Sequence, residues 1–345
     1  MSTAPDHKHR LCAEVFASVP SPGHPLGIAT ADDGTVYVGT HQAAGEPNVP
    51  SKVFAFDQHG KVVQEWQIDG QAENGQGITG IALDADGVLY IADQTPARVV
   101  TLDPRTGEQK VYAELPDVEL CSAGGQPGAC SEAATDRPSQ PINLAFGPDG
   151  NLYVGDLTQA AIWRISPGGG SAEVWYTAAD LDSLFGPNTV KFLDRGRTLL
   201  FADSATGLQD PANLPTAKGR LIKLTVNEDG SPSERETFWE AQGDGETPDG
   251  FAVGESGTVY VALAVANTLA VISPDGAEIT RVPLTPEQNA ERKVPFDLPG
   301  GVSFFGRKVL VTNQVFLGGD GKPVVFSIDV HEGGKALFRP HIPRP

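Results

Sequence analysis

The sequence predicts an all-β protein: a single six-bladed β-propeller of four-stranded antiparallel blades. Three observations predict it. A strand–turn–strand phrase recurs six times, a second and more amphipathic hairpin follows most copies, and the 40 Gly and 28 Pro of the 345 residues punctuate the chain throughout. Internal repetition is the sequence signature of propellers and solenoids, and short strands separated by turn residues belong to all-β folds.

The six copies are PLGIATADDGTVYVGT (25–40), ITGIALDADGVLYIAD (78–93), PINLAFGPDGNLYVGD (141–156), PNTVKFLDRGRTLLFAD (187–203), PDGFAVGESGTVYVAL (248–263) and PGGVSFFGRKVLVTN (299–313). Each reads as an apolar strand, a turn usually built on Asp-Gly or Gly, and a second apolar strand; the Gly supplies the positive φ of a tight hairpin. Between copies lie KVFAFDQHGKVVQEWQI, RVVTLDPRTGEQKVYAEL, AIWRISPGGGSAEVWYT and LAVISPDGAEITRVPL, hairpins with a buried and a solvated face. The GGG at 168–170 is the turn of one of them rather than a phosphate cradle. Two hairpins per repeat make a four-stranded blade. After the sixth copy, KPVVFSIDV supplies a third strand with no convincing fourth behind it. LCAEVFASV (11–19) is a strand without a blade and is expected at the outer edge of the last one, closing the ring and removing two exposed edges. Residues 1–10 read as a flexible tail, 11–340 as one propeller domain, and 341–345 as a C-terminal tail.

Composition narrows the partners. A formal charge of −19 without clustered Lys or Arg excludes a phosphate-backbone binder. No run of about 18 apolar residues exists, so no membrane-spanning helix is expected, and the polar start MSTAPDHKHR lacks the apolar centre of a secretory signal. The chain reads as cytoplasmic as written, or as secreted with its signal removed. Cys121 and Cys130 bracket one loop and either close it or remain thiols, with Cys12 left over; no zinc spacing is present.

In a blade the first strand begins, and the second ends, on one face near the axis. The positions at the first-strand starts are Leu26, Thr79, Ile142, Asn188, Asp249 and Gly300; the second strands end at Thr40, Asp93, Asp156, Asp203, Leu263 and Asn313. Side chains from six strands converge on one channel mouth, which is how this fold builds a site. The long connections 41–51, 117–140, 204–219 and 313–323 fall on the same face, and the opposite face is expected to carry only tight turns. His24 and His41 lie on the loop-bearing rim as candidate general bases, and Glu246 stands two residues before Pro248 as another. Asp93, Asp156, Asp203 and Asn313 are candidate substrate contacts, although a recurring strand-end Asp equally satisfies backbone amides. No GxSxG, HExxH or P-loop is present.

The phrases GPNTVKF…LLFADSATG and TPDGFAVGESGTVYVAL resemble the fourth and fifth blades of the senescence-marker-protein/gluconolactonase group, which sits beside strictosidine-synthase-like propellers. The resemblance implies a lactonase-like hydrolase of small cyclic or activated esters, with a divalent cation, calcium by expectation, at the channel top. It places metal ligands at Asn188 and Asp249, and an Asp serving as base at Asp203. The group's first-blade Glu falls on Leu26, and its third-blade Asn falls on Ile142 with Asn143 adjacent. Because Leu26 cannot ligate, a metal-independent strictosidine-synthase-like or lyase-like enzyme using a carboxylate base is the alternative reading. A non-catalytic binding propeller is the third.

Overall fold

The computed structural model describes residues 11–42, 49–73, 77–126, 129–318 and 321–343; the expected 1–10 tail lies outside them. After β1 (Ala13–Ser18) come six hairpin-connected groups. The first is β2 (His24–Thr30), β3 (Val36–His41), β4 (Lys52–Phe56) and β5 (Val62–Gln67). The second is β6 (Ile78–Leu83), β7 (Leu89–Gln94), β8 (Ala97–Leu102) and β9 (Gln109–Glu114). The third is β10 (Pro141–Phe146), β11 (Leu152–Asp156), β12 (Ala161–Ile165) and β13 (Gly170–Thr177). The fourth is β14 (Pro187–Leu193), β15 (Thr198–Asp203), β16 (Arg220–Val226) and β17 (Pro232–Glu240). The fifth is β18 (Pro248–Val253), β19 (Val259–Leu263), β20 (Thr268–Ile272) and β21 (Glu278–Val282), and the sixth is β22 (Pro299–Phe305), β23 (Lys308–Asn313) and β24 (Val324–Asp329).

Within each group neighbouring strands pair antiparallel in chain order, and β1 supplies the fourth strand of the sixth group by pairing antiparallel with β24. The second and third groups also touch through a short parallel bridge, Gly170 to Ala113 and Ser171 to Glu114, which joins them into one eight-stranded sheet. The first strands sit side by side in cyclic order: β2 on β6, β6 on β10, β10 on β14, β14 on β18, β18 on β22, and β22 back on β2.

Burial follows the same order. β3, β11 and β19 are buried along their whole length, whereas β5 and β17 alternate or face solvent. Apolar clusters fill the spaces between adjacent sheets, for example Tyr90, Phe146, Val154 and Trp163 between the second and third. A sheet packed on both faces needs apolar side chains on both, and period 2 then disappears from its inner strands.

The face opposite the long loops is not bare. The segment from Gly334 to Ile342 crosses it: Gly334 bridges Gly254, the Lys335 N–H donates to Val253 O, Arg339 pairs with Asp32, and Ala85 N–H donates to Pro340 O. Ile342 is buried among side chains of the second and third sheets. Thus 341–343 continue a docked segment rather than a tail, and that face carries more than turns. No helix among the described residues is long and apolar enough to cross a membrane.

Candidate functional site

The first strand of every group carries an irregularity at the same place. The register shifts between Pro25 and Ile28, Ile78 and Gly80, Pro141 and Leu144, Pro187 and Val190, Pro248 and Phe251, and Pro299 and Val302. A bulge bends its strand and re-aims the side chain at the bend. The first residue inside each of these six bends is Leu26, Thr79, Ile142, Asn188, Asp249 or Gly300, the positions that the repeat alignment singles out.

Asn188 and Asp249, from neighbouring groups, meet. Asn188 Nδ2 donates to Asp249 Oδ1 at 2.9 Å, and Gln314 Nε2 donates to Asp249 Oδ2 at 3.1 Å. Asn188 Nδ2 also reaches Ser204 Oγ at 3.1 Å, whose hydroxyl donates to Pro248 O at 2.6 Å. Thr189 Oγ1 donates to Asn188 Oδ1 at 3.3 Å and accepts from Asn143 Nδ2 at 2.9 Å. From the other side His41 Nε2 lies 3.1 Å from Gln314 Oε1, and His24 Nδ1 lies 2.8 Å from Gln314 O. The two imidazoles stand 6.0 Å apart, and Phe316 packs 4.9 Å from His41. Leu26, Ile142, Leu157 and Phe185 form an apolar cluster, Leu26 standing next to the Gln314 amide. A mostly apolar mouth with a few convergent polar groups is the usual composition of a small-molecule site.

Burial pushes the Asp249 carboxyl up to about 6; the Asn188 and Gln314 amides hold it down only in part. Two glycines permit the arrangement. A side chain on Gly155 would run into the backbone of Asn188, and one on Gly300 would take the space of the Gln314 amide and Leu26.

The strand-end residues point elsewhere. Asp93 pairs with Arg98 across the sheet at 2.9 Å, and burial still lifts it to about 6. Asp156 accepts from Ser139, Trp163, Thr158 and the Gln140 and Gln159 N–H groups. Asp203 pairs with Arg220 at 2.9 Å and accepts from Thr206; burial raises its pKa, against the pull of Arg220. Asn313 bonds Pro295 O, Lys322 O and the Asp297 N–H. Side chains alternate along a strand, so the axis is faced one residue later, by His41, Leu157, Ser204 and Gln314. The expected substrate contacts Asp93, Asp156 and Asn313, and the expected base Asp203, are therefore outward anchors of the second strands. Ser204 and Gln314 are the contacts that the sequence reading missed; moving the repeat alignment on by one residue finds both.

Glu246 is also accounted for. Burial pushes its carboxyl up, but the Gly243 N–H, Arg281 and the Gln242 N–H outweigh it and hold it below its ordinary value. With Arg281 at 2.8 Å it is an ion-pair partner, not a poised base. On the same face Cys121 and Cys130 form a disulfide that ties the 117–140 loop; Cys12 is exposed and outside it.

Residues 129–291 match the model of the SMP-30/Gluconolactonase/LRE-like region, and that span contains Asn188, Ser204 and Asp249. This stretch is similar to that family's region. No curated protein matches the chain. Among solved structures it is similar to the calcium-binding protein regucalcin of Agrobacterium tumefaciens, at 16% identity over 97% of this chain and 98% of that one, TM-score 0.65. A gluconolactonase of Xanthomonas campestris gives 15% identity over 92% and 89%, TM-score 0.59. Virginiamycin B lyase of Staphylococcus aureus gives 13% over 93% and 99%, TM-score 0.56. At these identities the likeness is one of fold.

The SMP-30/gluconolactonase resemblance implies a divalent cation, and the donor set here does not fit one. Calcium takes six to eight oxygen ligands, usually with more than one carboxylate. Asp249 is the only carboxylate in the network, both its oxygens accept from amide N–H groups, and Leu26 fills the first-sheet position. Among the described residues no three His, Cys, Asp or Glu side chains gather as a metal cluster. Asn143 reaches Asn188 only through Thr189. The residues expected to hold calcium, Asn188, Asp249 and Asn143, stand here in a hydrogen-bonded network with a single carboxylate.

Proposed function

We propose that this protein is a lactonase-like hydrolase of small cyclic or activated esters, working at the mouth of a six-bladed propeller whose ring β1 closes. The observation that carries the reading is the Asn188–Asp249–Gln314 triplet: one half-buried carboxylate, raised to about 6 and held between two amides, with an apolar cluster in the same set of strands. The family match over 129–291 supports hydrolysis of this substrate class.

Asp249 supplies the base. Near pH 7 it is mostly ionised, yet it is a stronger base than an exposed carboxylate, which suits proton transfer near neutrality. It takes a proton from water while the water oxygen bonds the ester carbonyl carbon. The acyl C–O bond then breaks, and the alkoxide oxygen receives the proton that Asp249 took up. Asn188 and Gln314 hold the carboxylate from both sides and fix its direction. The Leu26, Ile142, Leu157 and Phe185 cluster seats the apolar part of the substrate and excludes bulk water. His41 touches the Gln314 side-chain amide and His24 the Gln314 backbone carbonyl, so their role is to position Gln314.

A panel of γ- and δ-lactones and aryl esters tests this. Hydrolysis is expected to survive excess chelator and to fall at least about 100-fold in Asp249→Asn, the usual worth of a general base. Loss of activity on chelation, or an undiminished Asp249→Asn enzyme, overturns it. A lyase-like reading has one specific support: the same carboxylate needs no ligand cluster to abstract a proton from carbon. Product mass separates the two, since hydrolysis adds one water to the substrate and elimination adds none.

A further inference from the structure

The other end of the channel holds a cavity of about 610 Å³, bordered by residues of the C-terminal segment from Gly334 to Arg339. Its wall includes the position three residues beyond each bend. The strand registers align Ala29, Ala82, Ala145, Lys191, Ala252 and Ser303 there. Five small side chains leave the pore open, and the sixth is a lysine. Its surface is part apolar and part polar, with Ile28, Leu144, Phe146, Phe192, Val253 and Phe338 among the apolar residues.

Lys191 has no hydrogen-bond, ion-pair or ring partner among the described residues. Burial alone pulls its amine down to about 8. The other charged groups on the wall are Asp32, Lys335 and Arg339, and Asp32 is already paired with Arg339 at 2.6 Å. The cavity thus carries surplus positive charge inside a chain whose net charge is −19.

We propose that this cavity is a binding site for a small organic acid with an apolar body and a single carboxylate, with the Lys191 ammonium as its counter-charge. A half-buried ammonium without a partner is unfavourable, and a carboxylate placed against it forms a charge-assisted hydrogen bond. The apolar residues of the wall take the hydrocarbon, and the Lys191 amine takes the carboxylate. The site is separate from the Asn188–Asp249 mouth and does not depend on how that mouth is read.

Calorimetric titration with octanoate at pH 7 tests it, using the full-length protein. One site is expected. Affinity should fall at least about tenfold in Lys191→Met, persist in Lys191→Arg, and be at least about tenfold weaker for 1-octanol, a charge-assisted contact being worth more than 1.4 kcal/mol. Asp249→Asn should bind octanoate like the wild type. Affinity should also decline as the pH rises above 8, where the free amine loses its proton. Thermal melts establish that each variant is folded. Absence of binding to folded wild-type protein, equal affinity in Lys191→Met, equal affinity for octanol, or loss in Asp249→Asn overturns the proposal.

Discussion

Asp249 and Lys191 are opposite cases of one effect, a charge taken out of water without a full set of compensating partners. For Asp249 the folded-state value of about 6 lies above the ordinary 3.8. A base must be ionised, so the hydrolytic rate is expected to rise with pH, bend near 6 and level off above it; a pH–rate profile checks this, and a bend near 4 contradicts it. For Lys191 the folded-state value of about 8 lies below the ordinary 10.5. Below pH 8 both folded and unfolded chains are charged there and the full cost of burial is felt; above 10.5 neither is. Lys191→Met should therefore be more stable at pH 7 by up to about 3 kcal/mol, the gain shrinking as the pH rises from 8 towards 10.5. Denaturant titrations at pH 7 and 10 measure it. Asn188 and Asp249 were legible in the sequence because each opens a repeat. Ser204 and Gln314 were not, because a strand end can be read one residue early and each such slip reverses the side to which a side chain points. Lys191 hides for another reason: in PNTVKFL a lone lysine reads as an outward residue, and only the ring of equivalent alanines shows that it faces the pore.

In the second and fourth groups the second and third strands are held together by an ion pair as well as by their ladders. Asp203 on β15 and Arg220 on β16 are cross-strand neighbours, and Arg220 also reaches Asp180 at 2.9 Å. Removing the cation leaves a buried carboxylate alone, which commonly costs about 3–5 kcal/mol. Arg220→Met should lower the urea midpoint accordingly, whereas Asp203→Asn with Arg220→Met should recover much of the loss. A double-mutant cycle that shows no coupling refutes the assignment. The hairpins themselves were readable because Asp-Gly turns and apolar runs are local signals. Gly34 and Gly150, for example, take φ of +86° and +79° where the repeats place them. The parallel bridge between β9 and β13 leaves no local trace, since it depends on how two outer edges happen to approach.

At the scale of the molecule, the cyclic contact of six first strands defines two mouths, and the chain treats them differently. Long loops and the disulfide rim one; the segment from Gly334 to Ile342 crosses the other. That segment carries no repeat, so nothing in its pattern marks it as anything but a tail. Its apolar residues Phe338 and Ile342 nevertheless pack against the sheets. Deleting residues 334–345 should lower the melting temperature by about 5 °C or more, through loss of buried side chains worth about 2–5 kcal/mol. Scanning calorimetry measures the shift, and an unchanged transition contradicts a structural role for the segment.

The pairing of β1 with β24 also sets a timetable. Of the described strands β1 leaves the ribosome first, but it has no partner until β24, the last of them, has emerged. Every other antiparallel pair joins strands that follow one another in sequence. Five groups can assemble on a growing chain while the sixth waits for β24 to emerge, and until then β1 is an open edge seeking a mate. Relocating β1 behind β24 in a rearranged gene would make that last pairing local, and such a chain should reach its native state sooner after release.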